Sequence, residues 1–577
     1  MRNLEIARVF ETIADILEME GDNPFRIRAY RRAAQNVEAL AEDLESIAQR
    51  GALTEIPGIG KDLAAKIQEY LSTGRLSDLE RLKDRFPPGV LQMLSVPGIG
   101  PKKARLFYES LGVKSVDELE AALKEGRWKD LPGIRERTVE KILSGIKTFR
   151  EGMGRKLLSH ALPLGEAIAS ALSSSGLAKR VELAGSIRRR KETVGDLDVL
   201  VISDRPREVV DLFASMSIFK EVLSKGDTKS SAITADNFQV DLRVLEEGSF
   251  GAALQYFTGS KSHNVRIRTL AQRKGLTLSE YGLFEEASGK LVASSTEEEI
   301  YAALGMSYVE PELREDRGEV EAALEGKLPR LVELEDIRGD LHVHSNWSDG
   351  TADLEEMISY AQGLGLEYIA ITDHTSSLSV AHGLDRERAL RQVEEIREIA
   401  GRFPGIRVLC GLEVDVLPDG SLDMDEEVLS KLDVVVASVH SHFNMSREEM
   451  TRRVLRALQN PYVSILGHPT GRILGEREAL DLDVEAVIRE AAARGVALEV
   501  NSYPKRLDLP DALVKRAMEL GATICVNTDA HVPQQFNNLR WGVYCARRGW
   551  ATRERCLNAL GFEELVARLR RRRPALR

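Results

Sequence analysis

The strongest constraint on this chain is a rhythm in its C-terminal part. Seven apolar runs, Leu341–His344, Tyr368–His374, Val408–Val416, Val434–His440, Val463–His468, Val496–Asn501 and Thr523–His531, alternate with segments of helical character. Strands that alternate with helices build a parallel sheet covered by helices, and this succession predicts a distorted β/α barrel. In such a barrel the C-terminal strand ends converge on one mouth. The runs bring nine side chains there: His342, His344, Asp349, His374, Glu413, His440, His468, Asp529 and His531. A lone histidine at a strand end is usually a satisfied structural residue, and His382 is given no role. Nine such side chains at one mouth call for metal. Mixed imidazole and carboxylate ligation suits zinc, manganese or iron better than calcium or magnesium. Two or three ions are expected, with Glu413 as a bridge.

Eight of the ten histidines lie beyond residue 340, so the chain changes character there. At 577 residues it is too long for one hydrophobic core. The net charge of −11 excludes a protein that coats nucleic acid non-specifically, so any grip on DNA must be local. Cys410, Cys525, Cys545 and Cys556 form no CxxC pair and read as reduced thiols. Arg2, Glu5 and Arg8 interrupt the start where a secretory signal would be apolar, and no run reaches membrane-spanning length. A cytoplasmic protein is expected.

Residues 1 to 150 read as short amphipathic helices broken by Pro-Gly turns. Three segments recur: Ile56-Pro57-Gly58-Ile59-Gly60-Lys61, Val96-Pro97-Gly98-Ile99-Gly100-Pro101 and Leu131-Pro132-Gly133-Ile134-Arg135. A glycine turn that opens a helix leaves N–H groups free at the positive end of its dipole, which suits a phosphate oxygen and reads no sequence. One copy would be an ordinary turn. Three resemble the helix-hairpin-helix motif of DNA-repair proteins, and Gly58, Gly60, Lys61, Gly98, Gly100 and Lys102 become candidate DNA contacts. In the third copy Arg135 replaces the second glycine, which leaves a purely structural turn as the alternative.

From about Val181 the pattern turns to strands. Gly185-Ser186 and Arg188-Arg189 precede Gly195-Asp196-Leu197-Asp198. Residues two apart on a strand share a face, so Asp196 and Asp198 stand side by side, and Asp241, flanked by Val240 and Leu242, supplies a third acid. Close carboxylates repel unless a hard cation lies between them, and magnesium or manganese fits. The turn at Gly185-Ser186, with Gly195, offers N–H donors, and Arg189 can neutralise phosphate. A lone Asp-x-Asp is weak evidence. The ordered set resembles the nucleotidyltransferase superfamily, and Tyr256-Phe257-Thr258-Gly259-Ser260 resembles the thumb motif of family X DNA polymerases. That resemblance implies that Tyr256 and Phe257 screen the sugar of an incoming nucleotide, Asn264 contacts the nucleotide and Arg268 reaches the template or the minor groove of the base pair. His263 and Lys261 lie in the same loop. The segment from Asp62 to Leu71 is similar to the small domain of DNA polymerase beta, where a lysine at the place of Lys66 acts as a 5′-deoxyribose phosphate lyase. Phe25 and Asp62 stand where that enzyme has a histidine and a lysine, so an ordinary helix lysine is the alternative.

The barrel set resembles the polymerase and histidinol phosphatase (PHP) domain, from Asp340 to His531. In bacterial family X polymerases this implies a 3′-to-5′ exonuclease or 3′-end phosphoesterase, whose ions activate water and neutralise charge on phosphorus oxygens. His442 would support the ligands and Arg472 would bind substrate phosphate. The expected organisation is a small helical domain (1–88), a fingers-like helical domain (89–150), an α+β palm (151–255), a thumb (256–312), a charged linker (313–336) and the PHP domain (337–577). Gapped or nicked DNA and deoxynucleoside triphosphates are the expected partners of a monomer. A PHP barrel serving only as a metal-stabilised scaffold, and a non-catalytic DNA-binding module, are the competing readings. The intact ligand set and the intact aspartates speak against them.

Overall fold

A computed structural model describes residues 2–38, 44–56, 58–96, 98–152, 155–378 and 381–571. The N-terminal helices form two apolar cores. One gathers Ile6, Phe10, Ile13, Tyr30, Leu53, Ile67 and Leu79. The other gathers Val90, Met93, Phe107, Leu119, Ile142 and Ile146. Pro57 and Pro97 of the hairpins lie outside the described residues.

Two short strands, β1 (Lys156–Leu157) and β3 (Thr193–Val194), pair beside the main palm sheet. That sheet holds β2 (Arg180–Ala184), β4 (Asp196–Ile202), β5 (Phe219–Lys225), β6 (Lys229–Thr234) and β7 (Gln239–Leu245) in the order β2-β4-β7-β6-β5. β4 lies second from the edge, antiparallel to β2 and parallel to the central β7. Its apolar end, Val199 to Val201, is fully buried, so its acids are confined to the start, where the sheet opens. The thumb has β8 (Leu276–Ser279), β9 (Gly282–Glu285) and β10 (Leu291–Ala293) beside helices Phe250–Thr258 and Lys261–Arg273.

The barrel strands are β11 (Gly339–Val343), β12 (Tyr368–Ile371), β13 (Arg407–Asp415), β14 (Val434–Ser438), β15 (Ile465–Leu466), β16 (Ala497–Asn501) and β17 (Thr523–Asn527). They lie in sequence order and every neighbouring pair is parallel. A parallel bridge from Val343 to Ala530 draws the last unit back toward the first, which makes a nearly closed barrel. Several strands stop short of the predicted ends: β12 ends three residues before His374, and β15 keeps two residues. The chain leaves the sheet there to turn its ligands into the mouth. At Gly467 a side chain would meet Ser438 Oγ at 2.3 Å, so only glycine lets β15 approach β14.

The expected linker, 313–336, is not a linker. Leu313, Val320, Ala323 and Leu331 complete the thumb core. Arg314 is wholly buried, its guanidinium on Glu297 and the Val309 carbonyl. Glu315 and Glu319 likewise pair inside, with Arg189 and His263, while Glu321, Glu325 and Lys327 stay on the surface. The segment also docks on the barrel, where Arg547 pairs with Glu333 at 2.7 Å and Arg317 with Asp511 at 3.1 Å. Apolar residues of palm and barrel form one continuous cluster.

Candidate functional site

In the palm, the register of β4 and β7 sets Asp198 directly opposite Asp241, with Asp196 two residues earlier on the same face. Gln239 donates to Asp241 at 2.9 Å and the Ser231 hydroxyl donates to its other oxygen. Burial, then the charges of Asp196 and Asp241, push the Asp198 carboxyl up to about 7. Burial and Asp241 raise Asp196 in the same direction. Asp196 and Asp198, both raised beside Asp241 in a half-buried corner, form a site suited to a divalent cation. Gly185 has φ +66°, and a Cβ on it would stand 2.6 Å from Asp198 Oδ2. The turn therefore brings backbone against the carboxylates, and glycine is required. Gly195 lies under the Arg155 guanidinium, whose charge counteracts the upward shift of Asp196. The sequence reading passed over Arg155, an isolated basic residue with no motif around it.

Arg189 is placed differently from the expectation. It pairs with Glu315 at 3.0 Å and donates to the Thr258 carbonyl, so it ties the palm turn to the thumb. Tyr256 and Phe257 form an edge-to-face pair with centroids 5.1 Å apart. Arg268 lies 5.7 Å over Tyr256, and Arg243 lies 4.5 Å over Phe257. The Asn264 amide donates to the Tyr256 carbonyl and accepts from Gln255, both at 2.7 Å, so it holds the aromatic turn. His263 is buried between Glu319 and Tyr301 in the thumb core, while Lys261 is exposed.

All three hairpins close the same turn, with Ile59, Ile99 and Ile134 donating to Ile56, Val96 and Leu131. Gly58 and Gly98 have φ +74° and +88°, and Gly133 has +75° despite the arginine beyond it. Helices Lys61–Thr73 and Pro101–Leu111 begin at Gly60 and Gly100, around whose Cα atoms the space is open. Lys61 and Lys102 are exposed at these helix starts. Lys66 is held by Asp62 and, at 3.4 Å, by Asp78. Burial favours its neutral amine, but hydrogen bonding to Asp62 and the charges around it outweigh burial and raise its pKa. A lyase nucleophile needs the opposite shift.

At the barrel mouth the structure brings all nine expected side chains together. Three sets have ligand atoms within 4.8 Å of one another: His344, Asp349, His374 and His531; His342, His344 and Asp529; and His374, Glu413 and His440. His468 Nε2 joins the last set, 3.0 Å from Glu413 and 3.3 Å from His440. Glu413 lies at the centre, reached by His342, His374, His440 and His468 at 2.9 to 3.4 Å. Buried polar atoms here lack hydrogen-bond partners: Nε2 of His342, both ring nitrogens of His344 and Oε2 of Glu413. Such atoms are rare in a folded interior, and here the Nε2 atoms of His342 and His344 face Glu413 Oε2 at 3.4 and 3.6 Å, so the residues fit a metal cluster.

The charges agree. Burial opposes ionisation of Glu413, yet His342, His440 and His374 outweigh it and hold the carboxyl well below its usual range. Burial also works against a charged His440 and a charged His531, but Glu413 and Asp349 raise them to about 9. Burial, with His531 and His374, lowers His344 to about 4. The cluster thus carries cationic histidines around its carboxylates, the arrangement a divalent cation would replace.

Two carboxylates that the sequence reading missed orient these ligands. His342 Nδ1 donates to Glu499 and His440 Nδ1 to Asp415, both at 2.7 Å, which aims each Nε2 at Glu413. Arg472 does not face the mouth: it pairs with Glu192 of the palm at 2.7 Å. His442 is exposed and touches Ser441, so it does not support a ligand.

Residues 1–76 match the family described as a helix-hairpin-helix domain, and 90–148 match a SAM-like helix-hairpin-helix tandem. Residues 253–315 match the DNA polymerase beta thumb, and 340–503 match the PHP domain. Over 99% of its length the chain is 38% identical to the DNA polymerase/3'-5' exonuclease PolX of Bacillus subtilis, all of which is covered. It is 25% identical to rat (Rattus norvegicus) DNA polymerase lambda over 54% of this chain and 56% of that protein. A probable phosphatase of Syntrophotalea carbinolica is 31% identical over 34% of this chain and 80% of that protein. No helix among the described residues is long and apolar enough to cross a membrane.

Proposed function

This chain belongs to the family X DNA polymerases that carry a C-terminal PHP domain, and from that membership we propose that it fills short gaps during DNA repair and trims DNA 3′ ends at the barrel. The observation that carries the first activity is the facing of Asp198 and Asp241 beside Asp196. These three would hold two divalent ions, magnesium or manganese, which supply charge neutralisation for primer hydroxyl and triphosphate. Gln239 and Ser231 fix the Asp241 carboxylate toward the primer hydroxyl. Backbone N–H groups of the Gly185-Ser186 turn and of Gly195, with Arg155 above it, bind triphosphate oxygens. Tyr256 and Phe257, steadied by Asn264, present ring faces to the sugar, and Arg268 reaches the template side.

At the barrel, His342, His344, Asp349, His374, Glu413, His440, His468, Asp529 and His531 would hold two or three manganese or zinc ions, which polarise phosphate and water. Glu499 and Asp415 keep two of the imidazoles aimed. Gly58, Gly60, Lys61, Gly98, Gly100 and Lys102 grip the phosphate backbone without reading sequence. Lys66 serves as an ordinary helix lysine, and the protein works as a cytoplasmic monomer on gapped or nicked DNA with deoxynucleoside triphosphates.

The test incubates the purified full chain with labelled one-nucleotide-gapped DNA, with and without nucleotides, in magnesium or manganese. Extension with nucleotides and shortening without them are expected. Absence of extension in both metals overturns the polymerase assignment, and absence of shortening overturns the trimming one.

A further inference from the structure

At the mouth of the barrel two arginines stand without the anion their setting calls for. The turn Tyr503–Arg506 closes tightly, Arg506 N–H and Leu507 N–H donating to the Tyr503 carbonyl at 2.7 and 3.1 Å. It carries Arg506 back over the end of β16, where Asn501 donates to Asp529 Oδ2 at 3.0 Å. Arg506 Nε is 3.9 Å from that oxygen, and its Nη1 is buried with no hydrogen-bond partner. A guanidinium nitrogen that is out of water and unmatched is costly unless a partner meets it.

The second arginine comes from the segment 471–477, which is tied to the same turn by Leu474 N–H donating to the Lys505 carbonyl at 2.6 Å. Arg477 is clamped there, donating to the Gly471 carbonyl at 2.7 Å and lying 4.7 Å over the Phe443 ring. Burial, then the charge of Arg506, pulls the Arg477 pKa down to about 10. Two cations are therefore held close together at the rim of the ligand cluster. The carboxylates around them are committed elsewhere. Asp508 accepts from the Thr470 N–H, and Asp529 Oδ1 faces His344 at 3.0 Å. Arg472, nearby in sequence, is engaged with Glu192.

We propose that Arg506 and Arg477 form the seat for the phosphate group on which the barrel acts, Arg506 from the Asp529 edge of the cluster and Arg477 from the facing segment. Guanidinium donors match phosphate oxygens, and a phosphate supplies the negative charge that this pair lacks. Arg506 touches the substrate phosphate and aligns it over the ligand cluster; Arg477 sets affinity for it. The inference rests on the barrel being a phosphoesterase.

The experiment compares the full-length wild type with Arg506→Gln, Arg506→Lys and Arg477→Gln, each loaded with manganese. Binding of inorganic phosphate and of a deoxynucleoside 5′-monophosphate is measured by calorimetry, alongside manganese content, 3′ trimming and gap filling. Each glutamine variant is expected to weaken binding of both anions about 10- to 100-fold, Arg506→Lys less. Manganese content and gap filling should stay as in wild type. Arg506→Gln should lower kcat as well as raise KM for trimming, and Arg477→Gln should mainly raise KM. Unchanged anion binding in both glutamine variants overturns the seat, even if trimming is present. Loss of manganese in Arg506→Gln also overturns it, since Arg506 would then only steady Asp529. A wild type that binds phosphate through these arginines but trims no DNA would leave the seat standing and remove the exonuclease reading instead.

Discussion

Arg548, on a helix of the barrel, donates to the main-chain carbonyl of Arg189 in the palm at 2.6 Å. The same guanidinium pairs with Asp511 at 2.7 Å and Glu315 at 3.1 Å, and Glu315 in turn pairs with Arg189. Barrel, thumb strap and the palm turn beside Gly185 and Ser186 thus share one buried ion network. Removing one member of such a network leaves a charge stranded, at a cost of about 3–5 kcal/mol. Arg548→Ala should lower stability by that order and reduce nucleotide insertion more than 3′ trimming, because the turn it anchors is in the palm. Denaturant unfolding and both assays on one preparation check this. A stability loss under about 0.5 kcal/mol with normal insertion would mean the network is incidental.

Asp241→Ala should abolish nucleotide addition and leave trimming intact. The carboxylate faces Asp198 across the sheet and is held by Ser231 and Gln239, all of the palm. Insertion at near wild-type rate would remove the palm assignment.

Much of both sites was legible in the sequence, because local periodicity sets them. Asp196 and Asp198 share a face by the two-residue repeat of a strand, and the barrel ligands sit at the ends of apolar runs. What was not legible depends on partners distant in sequence. Arg189 and Arg472 look like phosphate ligands until Glu315 and Glu192 are seen against them. The strap 313–336 looks solvated until Arg314 is found inside. Glu499 and Asp415 left a weaker signal: a carboxylate within a buried, otherwise apolar strand must have a partner.

The raised Asp198 carboxyl predicts a pH effect in chelator-treated protein. Its folded pKa of about 7 lies above its unfolded value of roughly 3.9, so the folded state is penalised by ionisation. The penalty is absent below about pH 4, grows as pH rises and is complete above about pH 7. Asp198→Asn should therefore melt higher than wild type without metal, by on the order of 1–2 kcal/mol at pH 8 and by less at pH 5. Magnesium or manganese should stabilise the wild type and not the variant. Thermal unfolding across pH, with and without chelator, provides the measurement, and a difference that does not grow with pH would contradict it.

Gap filling should favour a downstream 5′-phosphate. The helix starting at Lys61 presents its open N-terminus at Gly60, with Lys61 exposed beside it. Removing the phosphate should weaken DNA binding about three- to tenfold. Lys61→Glu should remove most of that preference. Equal affinity for both ends would place the first hairpin elsewhere on DNA.

His440→Ala should lose trimming and keep gap filling. The imidazole follows β14, donates from Nδ1 to Asp415 and turns Nε2 toward Glu413 and His468. Deleting it removes one ligand from the Glu413 set and leaves Asp415 as a buried carboxylate without its partner. The remaining groups hold an ion poorly, so trimming should fall by at least about 100-fold, with less bound manganese or zinc. Loss of the ion also leaves acids and histidines crowded together, and the barrel should melt lower. The palm shares an apolar cluster with the barrel, so it does not stand apart from such loosening. Its tie to the barrel, however, runs through Arg548, Asp511 and Arg472, and none of these touches His440. Gap filling at moderate temperature should therefore persist and fail only near the lowered melting point. Measuring trimming, insertion, bound metal and unfolding on one preparation separates the outcomes. Unchanged trimming with lower metal content would place the nuclease elsewhere, and parallel loss of insertion at low temperature would make the barrel a scaffold for the polymerase.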